Sequence, residues 1–143
     1  VNCDNAVLAG VRVLVVDDEP DARDLIKRIL IACEADVHTT GSALEAYDAI
    51  TTQKRPDVII SDIGMPAVDG YELLRRVRGW EAAHRERTHE AAAPIPAIAL
   101  TAFARPEDRT RAMLAGYRTH LPKPLEPQQL IAAVASAVGR TAL

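Results

Sequence analysis

The stretch that most constrains this chain is Val58-Ile59-Ile60-Ser61-Asp62-Ile63-Gly64-Met65-Pro66. A short apolar run ends in a lone acid, and a Gly/Pro turn follows. A Val/Ile run this short, closed by turn residues, reads as a strand buried on both faces. Asp62 then stands at the strand's carboxyl end, where open α/β sheets place their ligand crevices. Val11 to Val16 repeats the pattern and ends in Asp17-Asp18-Glu19. Two parallel strands ending in acids gather several carboxylates at one edge of a sheet. Such a cluster repels itself and favours a hard cation, and oxygen ligands of this kind suit Mg²⁺.

The rest of the chain alternates in the same manner. Residues 1–10 show no periodicity and are expected to be a linker or disordered lead-in, with 141–143 a tail and 11–140 the domain. Pro20 opens a helix, with an apolar stripe at Ala22, Leu25, Ile26, Ile29, Leu30 and Cys33. A strand is expected around Asp36-Val37-His38. Ser42 and Glu45 form a capping-box pair for a helix that turns Leu44, Tyr47 and Ile50 inward. Asp69-Gly70 leads into a third helix with Leu73, Leu74 and Val77 on its inner face. Residues 79–93 are charged and weakly periodic, so they read as a frayed helix end and an exposed loop, with Trp80 as a helix-end anchor far from Asp62. Ile95 to Leu100 reads as a strand ending in Thr101-Ala102. Pro106 opens a helix that Gly116 closes. A strand over about Arg118 to Leu121 runs into Pro122-Lys123-Pro124, and Pro127 opens a last helix with Leu130, Ile131, Val134 and Val138 inward.

Five strands alternating with five helices predict an α/β fold, a doubly wound parallel sheet covered on both faces. Proline cannot donate to a ladder, so Pro122 belongs on an edge strand. The order 2-1-3-4-5, flavodoxin-like, puts the last strand at an edge and the switch point between strands one and three, where the acids stand.

Composition narrows the function classes. A chain of 143 residues, 48% hydrophobic, has the size and apolar content of one domain with one core. Seventeen basic against twenty acidic residues, net −3, with no basic run, argue against direct nucleic-acid contact. Arg12, the Asp pair and prolines interrupt the apolar tracts, so no membrane contact is expected. Cys3 and Cys33 read as free thiols in a reducing compartment, with a chance disulfide the weaker alternative. His84 and His89 lie five apart, poor spacing for one metal face, and read as solvated.

Over roughly residues 11–140 the chain resembles the receiver domain of two-component response regulators. Val15-Val16-Asp17-Asp18-Glu19 matches the family's acidic segment. Ser61-Asp62-Ile63-Gly64-Met65-Pro66, with Asp69-Gly70 beyond, matches its phosphoacceptor segment. Leu100-Thr101-Ala102 matches the hydroxyl after the fourth strand, and Lys123-Pro124 the lysine–proline pair, whose bond is cis in the family. The resemblance implies that Asp62 is the phosphoacceptor. It implies Mg²⁺ held by Asp18, Asp62 and the Gly64 carbonyl, with Asp17 helping through water. Lys123 is expected to pair with Asp62 and then with a phosphoryl oxygen, and Thr101 to donate its hydroxyl to another. His120, three before Lys123 where the family more often has Tyr or Phe, is expected to follow Thr101 as the switch residue.

The implied partner is a histidine kinase or a histidine phosphotransfer domain, with a homodimer through the switch face a family habit. The implied setting is the cytoplasm of a bacterium, although a parent chain could be membrane-anchored. The start without Met and the end soon after the last helix are expected of a trimmed C-terminal receiver of a hybrid histidine kinase, with a stand-alone regulator the alternative. No enzyme activity beyond self-phosphorylation and autodephosphorylation is expected, and with no output domain in view the chain should act through protein contacts.

Rival readings fit less well. Taken alone, Asp17-Asp18 is a solvated turn and helix cap; with Asp62 and Lys123 in register, a site is the better account. A haloacid-dehalogenase-like phosphohydrolase needs Asp-x-Asp-x-Thr after its first strand, and no Thr follows Asp17-Asp18-Glu19-Pro20-Asp21. A flavodoxin-like electron carrier needs a hydroxyl-rich phosphate loop where these acids stand. A pseudo-receiver that binds partners without phosphorylation is disfavoured by the intact acidic set.

Overall fold

The computed structural model describes residues 6–89, 93–102 and 105–140. Among them, strands and helices alternate as β1 (Arg12–Val16), α1 (Pro20–Ile31), β2 (Asp36–Thr40), α2 (Ala43–Thr52), β3 (Val58–Asp62), α3 (Gly70–Thr88), β4 (Ala97–Thr101), α4 (Pro106–Ala115), β5 (Thr119–Pro122) and α5 (Pro127–Ala137). The strands form one parallel sheet in the order β2-β1-β3-β4-β5, as the sequence predicts.

Side chains alternate between the two faces of each strand. Val13, Val15, Val58, Ile60, Ile98 and Leu100 pack under α1 and α5 with Ile26, Leu30, Leu130 and Val134. Leu14, Val16, Ile59, Ala97 and Ala99 pack on the other face with Ala46, Ile50, Leu73, Leu74 and Val77. Register then levels the acids: Val16 pairs with Ser61, so Asp17 and Asp62 leave adjacent strands side by side. Pro122 sits opposite Thr101 on the edge strand, so Lys123 enters the same rim.

Local signals set the helix ends. Pro20, Pro106 and Pro127 open α1, α4 and α5. The Ser42 hydroxyl accepts the Glu45 N–H at 3.1 Å, and the Asp69 carboxylate accepts the Glu72 N–H at 2.9 Å. Gly116 ends α4 with φ of 109°, which few other residues adopt.

Several expectations need correction. Leu44 and Leu25 face outward, 55% and 41% exposed. Ala43, Ala46, Ala49 and Ile50 form the inner face of α2 instead, because small side chains let that helix sit close to the sheet. The chain before Val11 is not merely a lead-in: Leu8 is fully buried, and Arg140 donates to the carbonyls of Val7 and Ala9. Residues 1–5 and 141–143 lie outside the described residues. Cys33, expected as a free thiol, is disulfide-bonded and buried in the same cluster as Leu8. Cys3 lies outside the described residues.

The largest correction concerns residues 79–93. Helix α3 continues to Thr88, so most of the expected loop is helix. Its inner stripe runs Leu74, Val77, Glu81, and the acid in third place hides the apolar period. Glu81 is 4% exposed. Its carboxylate accepts from Arg78 Nη1 at 2.7 Å and from the Ile95 N–H at 2.8 Å, while Arg78 Nη2 donates to the Ile95 carbonyl at 2.8 Å. Trp80 is therefore within the helix, stacked on His84 with ring centres 5.0 Å apart. Glu81→Ala leaves a buried N–H and a guanidinium without their partner, and should cost about 2–3 kcal/mol in urea unfolding. An unchanged midpoint would show that the clamp carries no weight.

Candidate functional site

At the carboxyl end of β1, Asp17 is fully buried. An ionised buried carboxylate must be satisfied, and both its oxygens are. Oδ1 accepts the Glu19 N–H at 3.0 Å, and Oδ2 accepts from Lys123 Nζ at 2.9 Å. Asp18, next in the chain, is exposed. Asp62 ends β3, is 8% exposed, and accepts the Gly64 N–H at 3.4 Å. Single carboxylate oxygens from Asp17, Asp18 and Asp62 lie within 4.8 Å of one another.

Lys123 reaches both buried acids, but not equally. Its Nζ is 2.9 Å from Asp17 and 3.6 Å from Asp62. The expectation places Lys123 on Asp62; the shorter bond goes to Asp17, the more deeply buried of the two carboxylates. The Lys123–Pro124 peptide is cis.

The electrostatics follow from this crowding. Burial pushes the Asp62 carboxyl above its ordinary value; Lys123 and the Gly64 N–H oppose that, while the Asp17 and Asp18 charges add to it. Burial alone would lower the Lys123 ammonium, but the bond to Asp17 and the charges of Asp17, Asp62 and Glu19 outweigh it, and the group is raised. One ammonium among three acids leaves net negative charge at the rim. A small divalent cation fits that donor set, which is all oxygen and already drawn together.

Thr101 is buried at the end of β4, and its carbonyl accepts the Lys123 N–H at 2.8 Å. His120 pairs in register with Ala99, two residues before Thr101 on the same face. Among the described residues its buried Nε2 has no hydrogen-bond partner. Burial and the Arg109 charge hold the imidazole below its ordinary value, against Asp108. The folded chain therefore binds this proton less well than the unfolded chain, and stability must fall as pH drops below about 6.5. His120→Phe should flatten the fall between pH 7 and 5, measured as the difference in urea midpoints. Equal pH slopes in both proteins would count against a titrating His120.

Sequence reasoning reaches Gly70 but misses two contributors, Tyr117 and Arg23. A Cβ on Gly70 would stand 2.6 Å from the Asp62 carbonyl and 2.9 Å from Ile63 Cα, so the start of α3 presses on the Asp62–Ile63 turn. Tyr117, fully buried, donates its hydroxyl to the Gly70 carbonyl and holds that helix start in place. Arg23 is the other: Nη1 donates to the Asp17 carbonyl at 2.7 Å. A basic residue one helical turn after Glu19 was the available signal.

Comparison with known proteins points the same way as the geometry. Residues 13–135 match the family model of the response regulator receiver domain. An uncharacterized 14.6 kDa protein from the sodA1 3' region of Leptolyngbya boryana is 42% identical over 124 residues, 87% of each chain. Response regulator MprA of Mycobacterium tuberculosis is 32% identical over 132 residues, 92% of this chain but 52% of MprA, so the chain spans about half of that relative. The solved structure of chemotaxis protein CheY4 from Vibrio cholerae superposes with a TM-score of 0.76 at 28% identity, covering 90% of this chain and 99% of that one. Among the described residues, no helix is long and apolar enough to cross a membrane.

Proposed function

The chain belongs to the response regulator receiver domain family, and from that premise we propose that it takes a phosphoryl group from a phosphohistidine onto Asp62. What carries the proposal is the convergence at one rim: three carboxylates within 4.8 Å, with the Lys123 ammonium 2.9 Å and 3.6 Å from two of them. A carboxylate oxygen of Asp62 attacks phosphorus as the phosphorus–nitrogen bond to the donor imidazole breaks and that nitrogen keeps the electron pair. The transition state is loose, so the protein contributes position and charge more than covalent chemistry. Asp18, Asp62 and the Gly64 carbonyl are the residues that would hold Mg²⁺, with Asp17 close behind. When bound, Mg²⁺ supplies neutralising charge to the phosphoryl oxygens.

Lys123 is placed to leave its weaker contact with Asp62 for a phosphoryl oxygen while keeping Asp17 as its anchor. Thr101 donates its hydroxyl to a second phosphoryl oxygen, and His120 turns toward the space left behind. The altered face is α4, β5 and α5, where Met113 and Leu114 stand 48% and 84% exposed and offer apolar contacts to a protein target or a second copy. The donor, a histidine kinase or phosphotransfer domain in the cytoplasm, would approach the groove beside Lys123. Glu19, Ala22, Leu25, Lys123 and Leu125 line that groove of about 290 Å³, and exposed Leu25 provides an apolar foothold.

Intact mass after incubation with Mg²⁺ and acetyl phosphate tests the proposal. The wild-type chain should gain one phosphoryl group. Should neither acetyl phosphate nor a phosphohistidine protein add mass, the chain is a pseudo-receiver that acts by contact alone.

A further inference from the structure

Arg23 lies on α1, one turn beyond Glu19, and its side chain folds back toward the end of β1. Its Nη1 donates to the main-chain carbonyl of Asp17 at 2.7 Å, a length typical of a charge-assisted bond. That carbonyl belongs to the peptide joining Asp17 to Asp18, so the bond fixes the plane from which the Asp18 side chain departs. Asp17 is locked by its own contacts to Glu19 and Lys123. Asp18 is exposed, and its aim depends on that peptide plane.

The guanidinium has a seat on a third segment. A Cβ on Gly41, in the turn between β2 and α2, would stand 3.0 Å from Arg23 Nη1 and 3.6 Å from its Cζ. The side chain thus occupies room that only glycine leaves free. The same turn is joined to the acid pair through the backbone, since the Asp17 N–H donates to the Thr40 carbonyl at 3.2 Å. Three segments meet around one peptide.

We propose that Arg23, seated over Gly41, is a positioning residue for the acid pair. It clamps the Asp17 carbonyl so that Asp18 faces Asp62, and in this way sets the affinity of the rim for a divalent cation. The proposal rests on the receiver reading of the site. Arg23 touches no reacting atom; it acts through Asp18.

Two effects of removing Arg23 oppose each other. Losing the clamp weakens cation binding, while losing a nearby positive charge favours it. Gly41→Ala separates them, because it keeps the charge and displaces only the seat. The atoms it meets are the far end of a flexible side chain, so the fold should tolerate it.

The test is Mg²⁺ titration by isothermal calorimetry, with urea unfolding in metal-free buffer as a check on the fold. Gly41→Ala should weaken Mg²⁺ binding about tenfold, the low end for loss of a group that orients a ligand, with little change in unfolding. In an Arg23→Met background the same Gly41→Ala change should do nothing, since no guanidinium remains to be displaced. Arg23→Gln serves as the background if Arg23→Met does not fold. Unchanged Mg²⁺ affinity in Gly41→Ala, or an equal loss in both backgrounds, overturns the role of Arg23. A wild-type chain that binds no Mg²⁺ overturns the phosphoacceptor reading as well, and so the two failures are told apart.

Discussion

Asp62→Asn is expected to gain no mass with Mg²⁺ and acetyl phosphate, under conditions that add one phosphoryl group to the wild-type chain. An amide oxygen is a poor nucleophile, and Asp17 cannot substitute, because its two oxygens are committed to Glu19 and Lys123 in a fully buried position. The same change should make the protein more stable. Burial and the neighbouring acids raise the Asp62 carboxyl in the folded state. A carboxyl raised in this way binds its proton better folded than unfolded, so stability declines as pH climbs from the unfolded value near 3.8 through the folded one. At neutral pH the charged Asp62 is therefore a net burden. Lys123 keeps its 2.9 Å bond to Asp17 when Asp62 becomes an amide, so little attraction is lost. In Mg²⁺-free buffer the variant should unfold with about 1 kcal/mol more free energy, the usual size of a trade between function and stability. Phosphoryl uptake by Asp62→Asn would move the acceptor elsewhere. A destabilised variant would mean that the contact with Lys123 outweighs the repulsion.

Gly70→Ala should be the most damaging single methyl at this rim. The added Cβ would meet the backbone carbonyl of Asp62 at 2.6 Å and the backbone of Ile63 at 2.9 Å. Those atoms belong to the sheet and its closing turn, where the Gly70 N–H donates to the Ile63 carbonyl at 3.0 Å, and they have no flexible end to swing aside. Alanine does gain up to about 1 kcal/mol over glycine inside a helix, but Gly70 is the first residue of α3, where that gain is smallest. Overpacking of this kind costs about 3 kcal/mol. Urea unfolding should show that loss, and phosphoryl uptake should slow, since the atom displaced is the carbonyl of Asp62 itself. Full stability would mean that α3 can slide outward without cost, which the buried hydroxyl of Tyr117 on the Gly70 carbonyl argues against.

Much of this molecule was legible from local signals. Buried Val/Ile runs ending in acids, prolines at helix starts and the Pro122 edge were enough to derive the sheet order, because each is a short-range rule about burial or backbone donors. Asp17, Asp18, Asp62, Thr101 and Lys123 stand at strand ends, and parallel strands in register bring strand ends together. The misses share another cause. Leu25 and Leu44 are apolar and on that ground are expected to point inward, yet which face a helix turns depends on what lies beneath it. The apolar period of α3 breaks at Glu81, which takes a core position that the pattern reserves for apolar residues. Its partners, Arg78 and the backbone of Ile95, are recognisable only once the chain has folded.

The order of residues along the chain was sufficient to specify the fold and the roster of acids and lysine at its rim, since hydrophobic period and turn chemistry act over a few residues. Which acid Lys123 holds more closely, why Gly70 must lack a side chain, and how Arg23 reaches the Asp17 carbonyl over Gly41 were settled by folding. Each joins segments distant in the chain or passes through bare backbone. Contacts of that kind leave no period in a sequence, because what they require is space, and space exists only after the segments have packed.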